Sequence, residues 1–187
     1  RLYVYNTDAT GFAIHLKQVY GDPTGRSVAL LGAGGAARAV SYILASCKVV
    51  QIAIFDIDKS KSESIGGMAK ELAPDCKIEI ADSIEGLDIK NKDLLINATP
   101  IGLKESDPCL VTEEALHKDL FVYDLIYNPA ETKLLSLAKK VGAGCSNGLG
   151  MLVSQGAQSF QHFTQTQGKI PLDKIVDIMT KSLTRGD

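Results

Sequence analysis

The run Val28-Ala29-Leu30-Leu31-Gly32-Ala33-Gly34-Gly35-Ala36-Ala37 constrains the fold more than any other segment of this chain. Four apolar residues read as a buried strand, the glycines break it, and the small residues that follow open a helix. The spacing is that of the dinucleotide fingerprint G-x-G-x-x-G/A, with Ala37 at the third small position. Gly32 permits the tight turn. Gly34 has no Cβ, so a pyrophosphate can approach the backbone, and Ala37 lets the helix pack closely on the strand. The first turn of that helix leaves N–H groups unpaired and turns partial positive charge toward an anion.

Such a turn also occurs for packing reasons alone, so its surroundings decide. A second apolar strand, Val50-Gln51-Ile52-Ala53-Ile54-Phe55, follows the helix, and Asp56 ends it, at about the 20-residue offset of a ribose-binding acid. The alternation then continues. Strands are expected near 27–31, 50–55, 77–80, 93–97, 120–124 and 143–146, with helices near 35–46, 60–72, 131–140, 149–163 and 172–184; Pro171 suits the start of the last. Before them, Asn6 or Thr7 can cap a helix carrying Phe12, Leu16 and Val19 at helical spacing, and Gly21–Gly25 forms a turn. Strands alternating with helices predict an α/β fold of Rossmann-like, doubly wound type, a mainly parallel sheet with helices on both faces. Residues 1–20 form a linking strand and helix, and residues 21–187 form the dinucleotide-binding domain with carboxy-terminal helices.

The 187 residues suffice for a well-cored domain, and the net charge of −2 offers no basic excess for nucleic acid. No apolar run reaches membrane-spanning length and no signal peptide is visible. Cys47, Cys76, Cys109 and Cys145 form no C-x-x-C pair, so neither a metal site nor a disulfide framework is expected, and a cytoplasmic setting is. The chain opens on Arg1 and runs at once into Leu2-Tyr3-Val4-Tyr5, like a strand under way. It is expected to be the latter part of a longer polypeptide.

Several loops at the carboxyl ends of the strands carry candidate chemistry. A carboxylate at Asp56 accepts hydrogen bonds from both ribose hydroxyls and repels a 2′-phosphate, which favours NAD over NADP; the alternative is that Asp56 or Asp58 caps the next helix. Lys59 and Lys61 keep NADP open. Asn97-Ala98-Thr99-Pro100-Ile101-Gly102-Leu103 is either a cofactor-lining loop or a turn punctuated by Pro100 and Gly102. Gly148 and Gly150 permit close approach to a flat ring, while Gln155 alone reads as a solvated helix residue. Asp8, in the first turn of its helix, complements the helix dipole without any catalytic role. His15, His117 and His162 form no triad and read as surface or structural. Nucleophile chemistry by Ser or Cys is disfavoured, since no G-x-S-x-G elbow or Cys-His arrangement appears.

Taken together, these segments resemble the shikimate dehydrogenase family and its quinate/shikimate dehydrogenase relatives, over nearly the whole chain. The resemblance is carried by Asn6-Thr7-Asp8 with Gly11-Phe12, by the 32–37 glycine turn, by 97–102, by Tyr123-Asp124-Leu125-Ile126-Tyr127-Asn128-Pro129, and by 147–155. It implies reversible hydride transfer between C3 of shikimate (or quinate) and a nicotinamide, giving the 3-dehydro acid, 3-dehydroshikimate in the shikimate case, as in aromatic amino acid biosynthesis. On that reading Asp8 is the catalytic aspartate, working with a lysine on the acid–base step. Asn6, Thr7, Tyr127 and Gln155 contact substrate. Gly32, Ala33, Gly34, Gly35 and Ala36 carry the pyrophosphate, Asn97, Ala98 and Thr99 flank the cofactor, and Gly148 lies near the nicotinamide. The family's amino-terminal substrate domain, which supplies the lysine, is missing, so this chain is expected to bind cofactor and to be inactive alone. NADP-using members carry N-R-[ST] where Asp56-Ile57-Asp58 stands, which again favours NAD. A homodimer is a possible assembly.

The competing reading is a non-catalytic dinucleotide- or metabolite-sensing module of the same fold. Retention of Asp8, Tyr127 and Gln155 together argues against it, because a sensor has no need of the aspartate.

Overall fold

A computed structural model describes residues 4–184. Six strands, β1 (Ser27–Leu31), β2 (Gln51–Phe55), β3 (Lys77–Ile80), β4 (Leu94–Asn97), β5 (Phe121–Asp124) and β6 (Gly144–Ser146), form one sheet in the order β3-β2-β1-β4-β5-β6. Every pairing is parallel, so the sheet is wholly rather than mainly parallel. Six helices accompany it: α1 (Thr7–Val19), α2 (Gly35–Ser46), α3 (Lys59–Leu72), α4 (Lys133–Lys140), α5 (Leu149–Thr164) and α6 (Leu172–Thr184). Each lies within two residues of its expected place. Residues 1–3 of the expected opening strand lie outside the described residues, and 4–6 carry no strand.

The strands alternate their side chains between two layers. Val28, Leu30, Ile52, Ile54, Ile96 and Tyr123 face a layer built by α1, α2, α3 and α5, through Phe12, Leu16, Val40, Leu44, Ile65 and Met151. Ala29, Leu31, Ala53, Leu95 and Val122 face the other side, covered by α4 through Leu134, Leu135 and Ala138 and by short 3-10 turns through Leu87 and Ile89. Helices thus cover both faces, but unequally. Val19, expected with Phe12 and Leu16 on the buried stripe, is instead 37% exposed, because it lies in the last turn of α1.

Capping decides where the helices begin. Asn6, rather than Thr7, caps α1 by accepting from the Ala9 N–H at 3.2 Å. Asp58 caps α3 through the Ser60 N–H at 3.2 Å, and Thr132 caps α4 through the Leu135 N–H at 3.3 Å. The first turn of α2 receives no side-chain cap at Gly34, so its N–H groups stay open. Sheet order reverses between β1 and β4, and a crevice forms there at the carboxyl ends of the strands.

Candidate active site

The crevice has two halves on either side of the glycine turn. One, of about 610 Å³, is lined by Gly32, Gly34, Phe55, Asp56, Ile57 and Asp58, with apolar walls from Ile84 and Leu110. The other, of about 530 Å³, is lined by Gly34, Gly35, Ala36, Leu125, Tyr127 and Asn128. Ala98, Thr99 and Pro100 border both halves.

The two fingerprint glycines do different work. Gly32 has φ of +94°, and a Cβ there would lie 2.9 Å from the Ala98 carbonyl oxygen, so the turn and the close approach of β4 both require glycine. Gly34 has φ of −80°, and a Cβ there would meet nothing within 4 Å. The fold leaves that space open, next to the open N–H groups of α2. That combination suits a phosphate.

Asp56 stands at the end of β2 and lines the first half. Its Oδ2 accepts from the Ala33 N–H at 2.7 Å and its Oδ1 from the Asp58 N–H at 2.8 Å, so it both shapes the glycine turn and presents negative charge to the cleft. The cap of α3 falls to Asp58 rather than Asp56. Of the lysines that kept NADP open, Lys59 pairs with Asp82 at 2.7 Å, and Lys61, which lines the cleft, stands 3.6 Å from Asp58. Ile57 is 97% exposed at the cleft mouth.

The 97–103 loop divides its work. Ala98 and Thr99 face the cleft, but the Asn97 side chain turns inward. Its Nδ2 donates to the Ile101 carbonyl at 3.3 Å and to Asp124 at 3.0 Å, while its Oδ1 accepts from the Thr99 N–H at 3.1 Å and hydroxyl at 2.7 Å. Asn97 therefore shapes the loop. Asp124, at the end of β5, is fully buried, and burial pushes its carboxyl above the usual range against the pull of Thr132, Ile126 and Asn97. Sequence reasoning quoted Asp124 within a motif but gave it no role; the available signal was an acid ending an apolar strand, as Asp56 does.

Gly148, at the entry to α5, is buried, and a Cβ there would lie 2.0 Å from the Leu125 carbonyl oxygen. At Gly150 the same space belongs to the His15 ring, 2.2 Å away. The close approach expected for a flat ring is thus made by the chain itself. His15 is buried, and its Nδ1 lies 2.6 Å from the Tyr123 hydroxyl; burial disfavours the charged ring and lowers its pKa.

Helices α1 and α5 pack antiparallel, tightly enough that a Cβ on Gly11 would stand 2.8 Å from Gln155 Cβ. Thr7 donates its hydroxyl to Gln155 Oε1 at 3.4 Å, and Asp8 stands exposed in the same first turn. Asn6, Thr7, Asp8 and Gln155 therefore gather at one end of this contact, with Gln155 roughly 10 Å along α5 from Gly148 by helical rise. Tyr127, half-exposed, lines the cleft itself. No helix among the described residues is long and apolar enough to cross a membrane, and all four cysteines are free thiols.

No family model matches the chain. Individual relatives do. It is 40% identical to a shikimate dehydrogenase (NADP(+)) of Methanopyrus kandleri, over 89% of this chain and 59% of that protein. Its structure matches shikimate 5-dehydrogenase from Listeria monocytogenes, solved with shikimate and NAD, at TM-score 0.80 and 33% identity, covering 92% of this chain and 62% of that one. It matches quinate dehydrogenase from Corynebacterium glutamicum, solved with NAD, at TM-score 0.81 and 26% identity, covering 95% and 62%. The chain spans about three-fifths of the length of these relatives. Through these likenesses in sequence and structure, the chain belongs to the shikimate and quinate dehydrogenase family.

Proposed function

We propose that this chain is the cofactor-binding portion of an oxidoreductase that moves hydride reversibly between a ring hydroxyl carbon of shikimate or quinate and a nicotinamide dinucleotide. The observation that carries the reading is the open space at Gly34 beside the uncapped start of α2, in a cleft whose far wall ends in Asp56. A bound nicotinamide supplies the hydride acceptor or donor. The chain's own part is to hold it: backbone N–H groups of 34–36 toward the phosphates, Asp56 toward the adenosine ribose, and Ala98 and Thr99 along the middle. Tyr127 contacts substrate at the far half, and Gly148 supports that wall by letting α5 seat on Leu125.

NAD is favoured over NADP. Asp56 and Asp58 put two carboxylates beside the position of a 2′-phosphate, and the cleft's lysine, Lys61, already faces Asp58. The relatives include one named for NADP(+) and two solved in complex with NAD, so the preference rests on these residues. Asp8 carries the acid–base role, holding the substrate hydroxyl in line for transfer with a lysine from a segment outside this chain, and Asn6, Thr7 and Gln155 contact substrate beside it. Without that segment the chain binds nucleotide and does not turn over.

The test follows reduced-nicotinamide absorbance for the full-length gene product with shikimate or quinate, each with NAD and with NADP. The proposal expects reduction with NAD. Tight nucleotide binding without reduction in any combination would replace the enzyme with a sensing module.

A further inference from the structure

Two loops wall the nicotinamide half of the cleft, and one buried carboxylate ties them together. Asp124 Oδ1 accepts from Asn97 Nδ2 at 3.0 Å, on the β4 side, and from the Ile126 N–H at 3.1 Å, on its own loop. Its Oδ2 accepts from Thr132 Oγ1 at 2.7 Å, at the cap of α4. Asn97 extends the chain of bonds to Thr99 and Ile101. No ion pair among the described residues includes Asp124. Burying a carboxylate without a cation is costly, and a strand end that served packing alone would do better with an apolar side chain. What the carboxylate provides is acceptor capacity aimed at three separate segments, two of which line the cleft.

We infer that Asp124 is a positioning residue of the cofactor site: it sets the 98–103 loop against the 125–128 loop at the spacing the nicotinamide half requires, and touches no ligand. The inference rests on the dinucleotide reading above. It separates the halves of the ligand. An adenosine diphosphate fills the Asp56 half and ends at the phosphate cradle, where the second half begins, and leaves the rest of that half along 125–128 to the nicotinamide end. The full dinucleotide needs both walls.

Calorimetric titration of NAD and of ADP into the chain tests this. Asp124→Ala removes both wall bonds and is expected to weaken NAD by about tenfold, the equivalent of one or two lost hydrogen bonds, with ADP within about twofold of wild type. Asp124→Asn keeps an oxygen at the Oδ1 position and places an amide N–H toward Thr132, whose hydroxyl accepts as well as donates, so it is expected to retain NAD affinity. Should Asp124→Ala not fold, Asn97→Ser cuts the same wall-to-wall bond while leaving a hydroxyl for the Thr99 N–H, and carries the same expectation. Equal weakening of NAD and ADP, unchanged NAD binding, or an Asn variant as weak as the Ala variant would each overturn the inference. Failure of the wild-type chain to bind either nucleotide would remove the cofactor reading itself, and this inference with it.

Discussion

Replacing Gly32 and Gly34 by alanine, one at a time, should separate folding from binding within a single turn. At Gly32 the backbone sits at φ +94°, where an L side chain is strained, and the new Cβ would stand 2.9 Å from the Ala98 carbonyl and 3.0 Å from Thr99 Cγ2. The strain costs about 1–2 kcal/mol and the overpacking about 1–3 kcal/mol. Backbone atoms yield less readily than a side-chain tip, so both costs are felt and a total of about 2–5 kcal/mol is expected for Gly32→Ala. Gly34 lies at φ −80° and ψ −167°, ordinary extended backbone, with nothing within 4 Å of the added methyl. Alanine is a poorer N-cap than glycine, but it also restricts the unfolded chain, and the two effects of about 0.5–1 kcal/mol oppose each other. Gly34→Ala should therefore unfold in urea within about 0.5 kcal/mol of wild type. Its methyl nevertheless occupies the approach to the α2 N–H groups, and NAD affinity should fall at least about tenfold, or about 1.4 kcal/mol. Urea unfolding and calorimetric NAD titration of the two variants give four numbers. A Gly34→Ala protein that is stable and binds NAD as wild type does would refute the placement of the phosphates. A Gly32→Ala protein as stable as wild type would refute the strain argument.

Three further outcomes are expected. Asp56→Asn with Ile57→Arg should move nucleotide preference toward NADP in competition titrations; the pair should also lose about 1 kcal/mol in urea, since an amide has one acceptor oxygen for the Ala33 and Asp58 N–H groups that the carboxylate now shares. Gly11→Ala should push α1 away from Gln155 and Met151, lowering stability in urea unfolding by about 1–3 kcal/mol. His15 has its pKa lowered from 6.5 by burial, so the unfolded chain binds the proton more tightly. Its contribution to stability is present above 6.5 and is lost as pH falls through the folded value. Urea midpoints between pH 8 and pH 5, measured for wild type and His15→Gln, should show that acid-side loss shrinking in the variant.

Much of this fold is legible along the chain because its signals are local and long. The strands β1, β2, β4 and β5 are nearly continuous apolar runs, as a sheet covered on both faces demands, and the glycine turn between β1 and α2 marks the sheet reversal. The short 3-10 turns at 85–87, 89–91 and 113–115 span too few residues to show a period, so their share in covering the second face beside α4 was not foreseen. The site divides in the same way. Gly32 and Asp56 could be placed from spacing to the adjacent strands. The inward turn of Asn97 could not, because its partner Asp124 is 27 residues away and across a strand pair. Gly148 and Gly150 announced close approaches without saying to what, and the answer, Leu125 and His15, depends on tertiary packing. Leu2 to Tyr5 has the composition of a strand, yet 4–6 pairs with none, and Tyr5 instead stacks on His162 with ring centroids 3.8 Å apart.

We propose above that the crevice between β1 and β4 holds a nicotinamide dinucleotide and selects against its 2′-phosphate. Titration of NAD and NADP into this chain under identical buffer and salt tests it most directly. Both are expected to saturate one site, with NAD binding more tightly and the difference narrowing in Asp56→Asn. Tighter NADP than NAD would contradict the role given to Asp56, and no binding of either would contradict the claim itself.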